Sequence, residues 1–189
     1  MPDHLYLSLW LHGFTPDTML RHFQQMLGAF PFSKLRPGIG ALRVYAMELK
    51  EPPALEHAFV EGADVDSVVA MCREFENPDC AYIAEGWWEL WKYRDSWQLG
   101  PSPVSLICYG PEFENDEGDH LRIDFGPESH YIPQPHLPDS ARAIHSNIRG
   151  ILRLIGELKE ALPLEGRKLW SESEENFAAR VESALLEGE

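Results

Sequence analysis

Leu5-Tyr6-Leu7-Ser8-Leu9-Trp10-Leu11 places four leucines on every second position, and that strict alternation reads as a β-strand with one face in a core. A one-sided strand implies a sheet whose other face is free or differently covered, which points to an antiparallel sheet with helices on one side. Downstream, Thr15 is placed to cap a helix beginning at Pro16, where Met19, Leu20, Phe23, Met26, Leu27 and Phe30 recur at helical spacing. Residues 41–49 read as a strand, Lys50-Glu51-Pro52-Pro53 as a turn, and 55–60 as a weaker strand that makes a hairpin with it.

Asp64 is placed to cap a second helix with Val65, Val68, Val69, Cys72 and Phe75 as its apolar stripe, ended by Asn77-Pro78. Residues 80–93 are long, aromatic and extended. The order strand, helix, strand, strand, helix, strand predicts a ferredoxin-like α+β core over residues 1–93. Residues 94–189 then extend it within one domain by a strand pair and two helices. The strands are residues 104–110 and 120–126, joined by the acidic turn Glu114 to Asp119. The first helix carries Ala141, Ile144, Ile148, Ile151, Ile155, Leu158 and Leu162 at alternating spacings of three and four. The last helix is expected from Ser171, where Ser171 and Glu174 fit a capping box and Phe177, Val181 and Leu185 form a thin stripe.

The chain carries 31 acidic and 16 basic residues, a net charge of −15, and most of the excess falls in 111–128 and 170–189. That balance opposes contact with a phosphate backbone, so nucleic acid is not an expected partner; basic proteins are attracted instead. No basic leader or membrane-length apolar run is evident, and Cys72, Cys80 and Cys108 sit singly inside apolar patterns, which together predict a cytoplasmic protein with reduced core thiols. No cofactor-binding signature of the nucleotide or acyl-transfer type occurs. Metal binding is not expected either: the turn at Glu114 departs from the EF-hand spacing, and His130, His136 and His145 lack zinc-site spacing.

Three groups of residues are candidates for a site. Trp87, Trp88, Trp91, Tyr93 and Trp97 crowd one extended segment; the plainer reading is packing, with Trp88 on one face and Trp87, Trp91 and Tyr93 on the other, and the functional one is a binding hot spot. His120, Arg122 and Asp124 alternate along one strand face, where they suit acid–base work or an anion, although ordinary cross-strand pairing gives the same spacing. Arg142, His145, Arg149 and Arg153 form a basic row at helical spacing, fit for clamping a phosphate or carboxylate, for docking on the acidic turn, or simply for solvent.

The chain thus reads first as a non-catalytic protein-interaction module with acidic and aromatic surfaces for a basic partner. The alternative is an enzyme or binder of a small anionic ligand, with a tryptophan-lined pocket using His120, Arg122 and Asp124. A homodimer is compatible with both.

Overall fold

The computed structural model describes residues 2–173 together with 179 and 181. Strands β1 (His4–Leu11), β2 (Ile39–Ala46), β3 (Leu55–Ala63), β4 (Cys80–Tyr93), β5 (Trp97–Tyr109), β6 (Leu121–Pro127) and β7 (Leu164–Ser171) form one antiparallel sheet in the order β3-β2-β4-β5-β6-β1-β7. Helices α1 (Met19–Ala29), α2 (Val65–Glu74) and α3 (Ser140–Ala161) contribute to one main core with the sheet.

The main core follows from alternation. Leu5, Leu7, Leu9 and Leu11 of β1 are buried together with Leu121, Ile123 and Phe125 of β6, Val104, Leu106 and Cys108 of β5, and Tyr82, Ala84, Trp88 and Leu90 of β4. Each fully buried leucine contributes roughly 2 kcal/mol of transfer free energy. The three cysteines are free and buried; burial pushes the Cys72 thiol up to about 12 and Cys80 up to about 11, so they pack as small apolar groups.

The ferredoxin-like expectation fails on topology. The first six elements do run β-α-β-β-α-β, but that fold would seat β1 between β3 and β4, whereas here β1 lies between β6 and β7. Both flanks of β4 are taken, one by β2 from Ala41↔Glu85 to Ala46↔Cys80 and the other by the β4–β5 hairpin, which pairs without a break from Ala81↔Tyr109 to Tyr93↔Trp97, so no edge of β4 is left for β1. A hairpin closed by three residues costs far less chain entropy than returning β1 from the other end of the sequence. The sequence pattern starts this strand at residue 104, whereas β5 begins at Trp97 and runs through Pro101 and Pro103. Both prolines share the parity of Tyr109, whose N–H is directed at His120, so their nitrogens face the same side of β5 as β6. β6 stops pairing at Ser105↔Asp124, and no ladder hydrogen bond is lost at either proline.

The C-terminal part is corrected as well. Ser171 ends strand β7, paired with β1 as Leu5↔Ser171, and its hydroxyl donates to Glu128 rather than capping a helix. A seventh strand therefore follows α3 and occupies the position where the last helix was expected to start; of that expected helix, residues 179 and 181 are described and helical. Glu174, Phe177 and Leu185 lie outside the described residues; Val181 is helical and buried in the main core. Asp64 does cap α2, accepting the Ser67 N–H at 2.7 Å, while α1 starts at Met19 because Thr15 to Thr18 form a turn.

β4 outruns β2, its pairing ending at Ala41↔Glu85, and side elements satisfy its free edge. The Ser33 N–H donates to the Trp87 carbonyl at 2.7 Å. Farther along, the Asn147 side chain of α3 imitates a strand: its Oδ1 accepts from the Trp91 N–H at 2.9 Å, and its Nδ2 donates to the carbonyls of Trp91 at 3.0 Å and His130 at 2.9 Å. Asn147 is 2% exposed, so three backbone groups depend on one buried amide.

Candidate functional site

Because the leucines of β1 face the helices, Tyr6, Ser8 and Trp10 face the other way, and the same parity sets Arg122 and Asp124 of β6, Tyr109 of β5, and Lys168 and Trp170 of β7 on that open face. Register brings them together: Tyr6 lies opposite Asp124 on one side and Trp170 on the other, and Ser8 opposite Arg122 and Lys168. The Trp170 indole N–H donates to Ser8 Oγ at 2.9 Å, and its ring stacks on Tyr6 with centroids 4.6 Å apart. Part of the open face carries a small second core of Ala81, Ile107, Tyr109 and Phe113, with the chain after β5 folding back through Gly110 to seat Phe113.

Arg122 is the centre of the remaining open part. Its Nε and Nη2 each donate to a carboxylate oxygen of Asp119 at 2.8 Å, and Nη2 also donates to Asn115 Oδ1 at 3.1 Å. Its guanidinium carbon lies 5.0 Å from the Tyr109 ring centre, 5.3 Å from Trp170 and 5.9 Å from Tyr6. Asp119 is 2% exposed, so the pair is an interior one, and Asn115 Nδ2 completes it by donating to Asp119 Oδ1 at 2.7 Å. Lys168 pairs with Glu117 at 2.9 Å, and the Trp10 indole donates to the Gly118 carbonyl, so the acidic turn is held down on the sheet.

Between this turn and the loop after β2 lies a cleft of about 520 Å³ with Tyr6, Tyr109, Arg122 and Trp170 at its base. Its lining holds five carboxylates, Glu48, Glu114, Asp116, Glu117 and Glu172, against two cations, Lys50 and Arg122. Both phenols stay protonated at neutral pH. Burial pushes Tyr109 up to about 12 against the opposing pull of Arg122, and burial followed by the charge of Asp124 raises Tyr6, whose hydroxyl donates to Glu172 at 3.0 Å.

The trio His120, Arg122 and Asp124 is not brought together. His120 precedes β6; its Nδ1 accepts the Leu11 N–H at 2.9 Å, and its ring lies parallel to Phe14 with centroids 4.3 Å apart. Arg122 turns to Asp119, and Asp124 turns to His4, whose Nδ1–H donates to both of its oxygens at 2.9 and 3.0 Å. The tryptophans are divided as alternation predicts. Trp88 is core, packed on Phe125 at 4.9 Å and Phe30 at 5.8 Å, whereas Trp87 is half-buried under the Arg36 guanidinium. Trp91 is 36% exposed, Tyr93 packs edge-on against Trp97, and Trp97 donates to the Pro138 carbonyl at 2.6 Å.

Arg142, His145, Arg149 and Arg153 are exposed along α3; Arg142 lies beside Trp91 and Trp97 in a shallow pocket, and Arg153 lines another with Trp91 and Phe32. The acidic turn pairs with Arg122 and Lys168, not with this row. Reading the sequence alone missed Tyr6, Tyr109, Trp170, Glu48 and Lys50. The alternation of β1 already set Tyr6 on the non-core face, but nothing local signalled that β7 would bring Trp170 beside it. Among the described residues no three His, Cys, Asp or Glu side chains converge as a metal site requires, and no helix is long and apolar enough to cross a membrane. No protein-family model matches the chain, and neither a curated protein nor a solved structure is significantly similar to it.

Proposed function

We propose that the protein is a non-catalytic interaction module whose open sheet face receives a basic segment of a partner protein. The observation that carries this reading is the cleft over Tyr6, Tyr109, Arg122 and Trp170, where the rings lie beneath a rim of five carboxylates and one cation, Lys50. Stacked rings supply desolvated apolar area and attract cations through their faces, while the rim raises the encounter rate with a positively charged partner. The groups at the base do not suit proton transfer: both phenols hold their protons, and two nitrogens of Arg122 are committed to Asp119.

The test is a titration of 15N-labelled protein with a nona-arginine peptide at about 50 and 200 mM salt, between which the Debye length falls about twofold. Saturable shifts centred on Tyr6, Trp170, Lys50 and the 114–119 turn are expected, weakening at the higher salt. A triple variant Glu48→Gln, Glu114→Gln, Asp116→Asn should weaken binding at least about tenfold, a loss of roughly 1.4 kcal/mol. Asp119 is left intact because it belongs to the interior pair. Shifts scattered over the surface, or a triple variant that binds as the wild type does, would overturn the proposal.

A further inference from the structure

β5 and β6 separate after Ser105↔Asp124, while β5 runs on with β4 and β6 turns toward β1 at His4↔Pro127. The resulting fork encloses a second cleft, of about 400 Å³, lined by His4, Lys92, Ser105, Asp124 and His130 among apolar neighbours such as Pro103 and Val104. It lies outside the aromatic cleft, and the interaction proposal makes no use of it.

The polar groups in this fork are unbalanced toward donors. Asp124, the sole carboxylate in the lining, already accepts the His4 Nδ1–H through both oxygens and the Gly126 N–H at 2.8 Å through Oδ1. Each of its oxygens thus accepts at least one protein donor, and the same contact fixes the His4 ring. Lys92 spends one proton on the Pro101 carbonyl at 2.8 Å and keeps two. His130 lines the cleft, and its buried Nδ1 has no hydrogen-bond partner among the described residues, so no protein acceptor is committed to that nitrogen. Burial lowers the pKa of both Lys92 and His130, and each also feels a nearby cation, Arg94 for Lys92 and Lys92 for His130, so an anion between them relieves both.

We propose that the fork is a binding site for a small organic anion, with its carboxylate or phosphate held by Lys92 and His130 beside the oriented His4 and its apolar body against Pro103 and Val104. A cleft of this volume suits a ligand of metabolite size. This inference goes beyond the interaction module and stands or falls separately from it.

The test follows the imidazole Cε1–Hε1 signals of all eight histidines while wild-type protein is titrated with benzoate, phenyl phosphate or inorganic phosphate. The expected result is saturable movement of His4 and His130 with a shared Kd below about 1 mM for benzoate or phenyl phosphate, while exposed His57 and His145 stay still. The tighter of the two arenes identifies the head group, and weaker binding of inorganic phosphate identifies the apolar body. Lys92→Gln, checked for an unchanged melting temperature, should weaken binding at least about tenfold. Absence of saturable shifts up to about 10 mM would overturn the proposal, as would equal movement of His57 and His145. The wild-type titration decides the matter even if Lys92→Gln fails to fold.

Discussion

Arg122 sits at a position that sequence spacing marks as half-exposed, yet its guanidinium is gripped by Asp119 on one edge and crowded by three aromatic rings. Removing one partner of such a pair strands the other charge, so Arg122→Met should cost about 3 kcal/mol of unfolding free energy in urea, whereas an exposed pair would cost under about 1 kcal/mol. His120 tests the same logic through pH. Burial lowers the pKa of His22, His120 and His130 from the ordinary 6.5, so the unfolded chain takes up protons that the folded chain refuses. Their stabilising contribution is complete above pH 6.5 and declines as pH falls through and below it. Urea unfolding from about pH 7.5 to 5.5 should show that decline, and His120→Asn should make it shallower, because the His120 proton would otherwise compete with the Leu11 N–H. At this scale the sequence showed which face a residue occupies but not its partner: His120, Arg122 and Asp124 find theirs at Leu11, Asp119 and His4, and two of those lie more than a hundred residues away.

Helices and strands with local signals were legible. Asp64 caps α2 through a bond three residues on, and the stripe of α3 leads Ile144, Ile151, Ile155 and Leu158 into the core. β7 was not, because Leu164-Glu165-Gly166-Arg167-Lys168-Leu169-Trp170-Ser171 has one fully buried apolar side chain, Leu169, and takes its strand conformation from pairing with β1. Two predictions belong to elements. Asn147→Leu keeps the volume but strands the Trp91 N–H and two carbonyls; it should cost about 2–4 kcal/mol and speed hydrogen exchange at the Trp91 amide ahead of the rest of β4. Gly40 exists for Trp87: a Cβ there would lie 2.3 Å from the indole, so Gly40→Ala should expel the ring from beneath Arg36, visible as a shift in tryptophan emission and a loss of about 1–3 kcal/mol.

Over the whole molecule, composition and alternation were enough to reveal a mixed α and β chain with one helix-covered sheet face, but not the order of its strands. That order depends on which strands take the two flanks of β4, and β2 on one side with the short-closed β5 hairpin on the other leaves none for β1. The net charge of −15 keeps copies of the molecule apart at long range, but salt screens that repulsion, and then short-range chemistry governs association. The prolines on the fork side of β5 become important there. A bare strand rim offering alternating donors and acceptors is a template onto which a second chain can knit, and Pro101 and Pro103 remove the donors from one stretch of it, while Lys92 occupies the Pro101 carbonyl. Replacing both prolines with threonine would restore a row of N–H groups. Light scattering at high salt and raised protein concentration should then report intermolecular sheet growth in the variant while the parent stays clear, making two ring-closed residues a guard against polymerisation rather than an interruption of a strand.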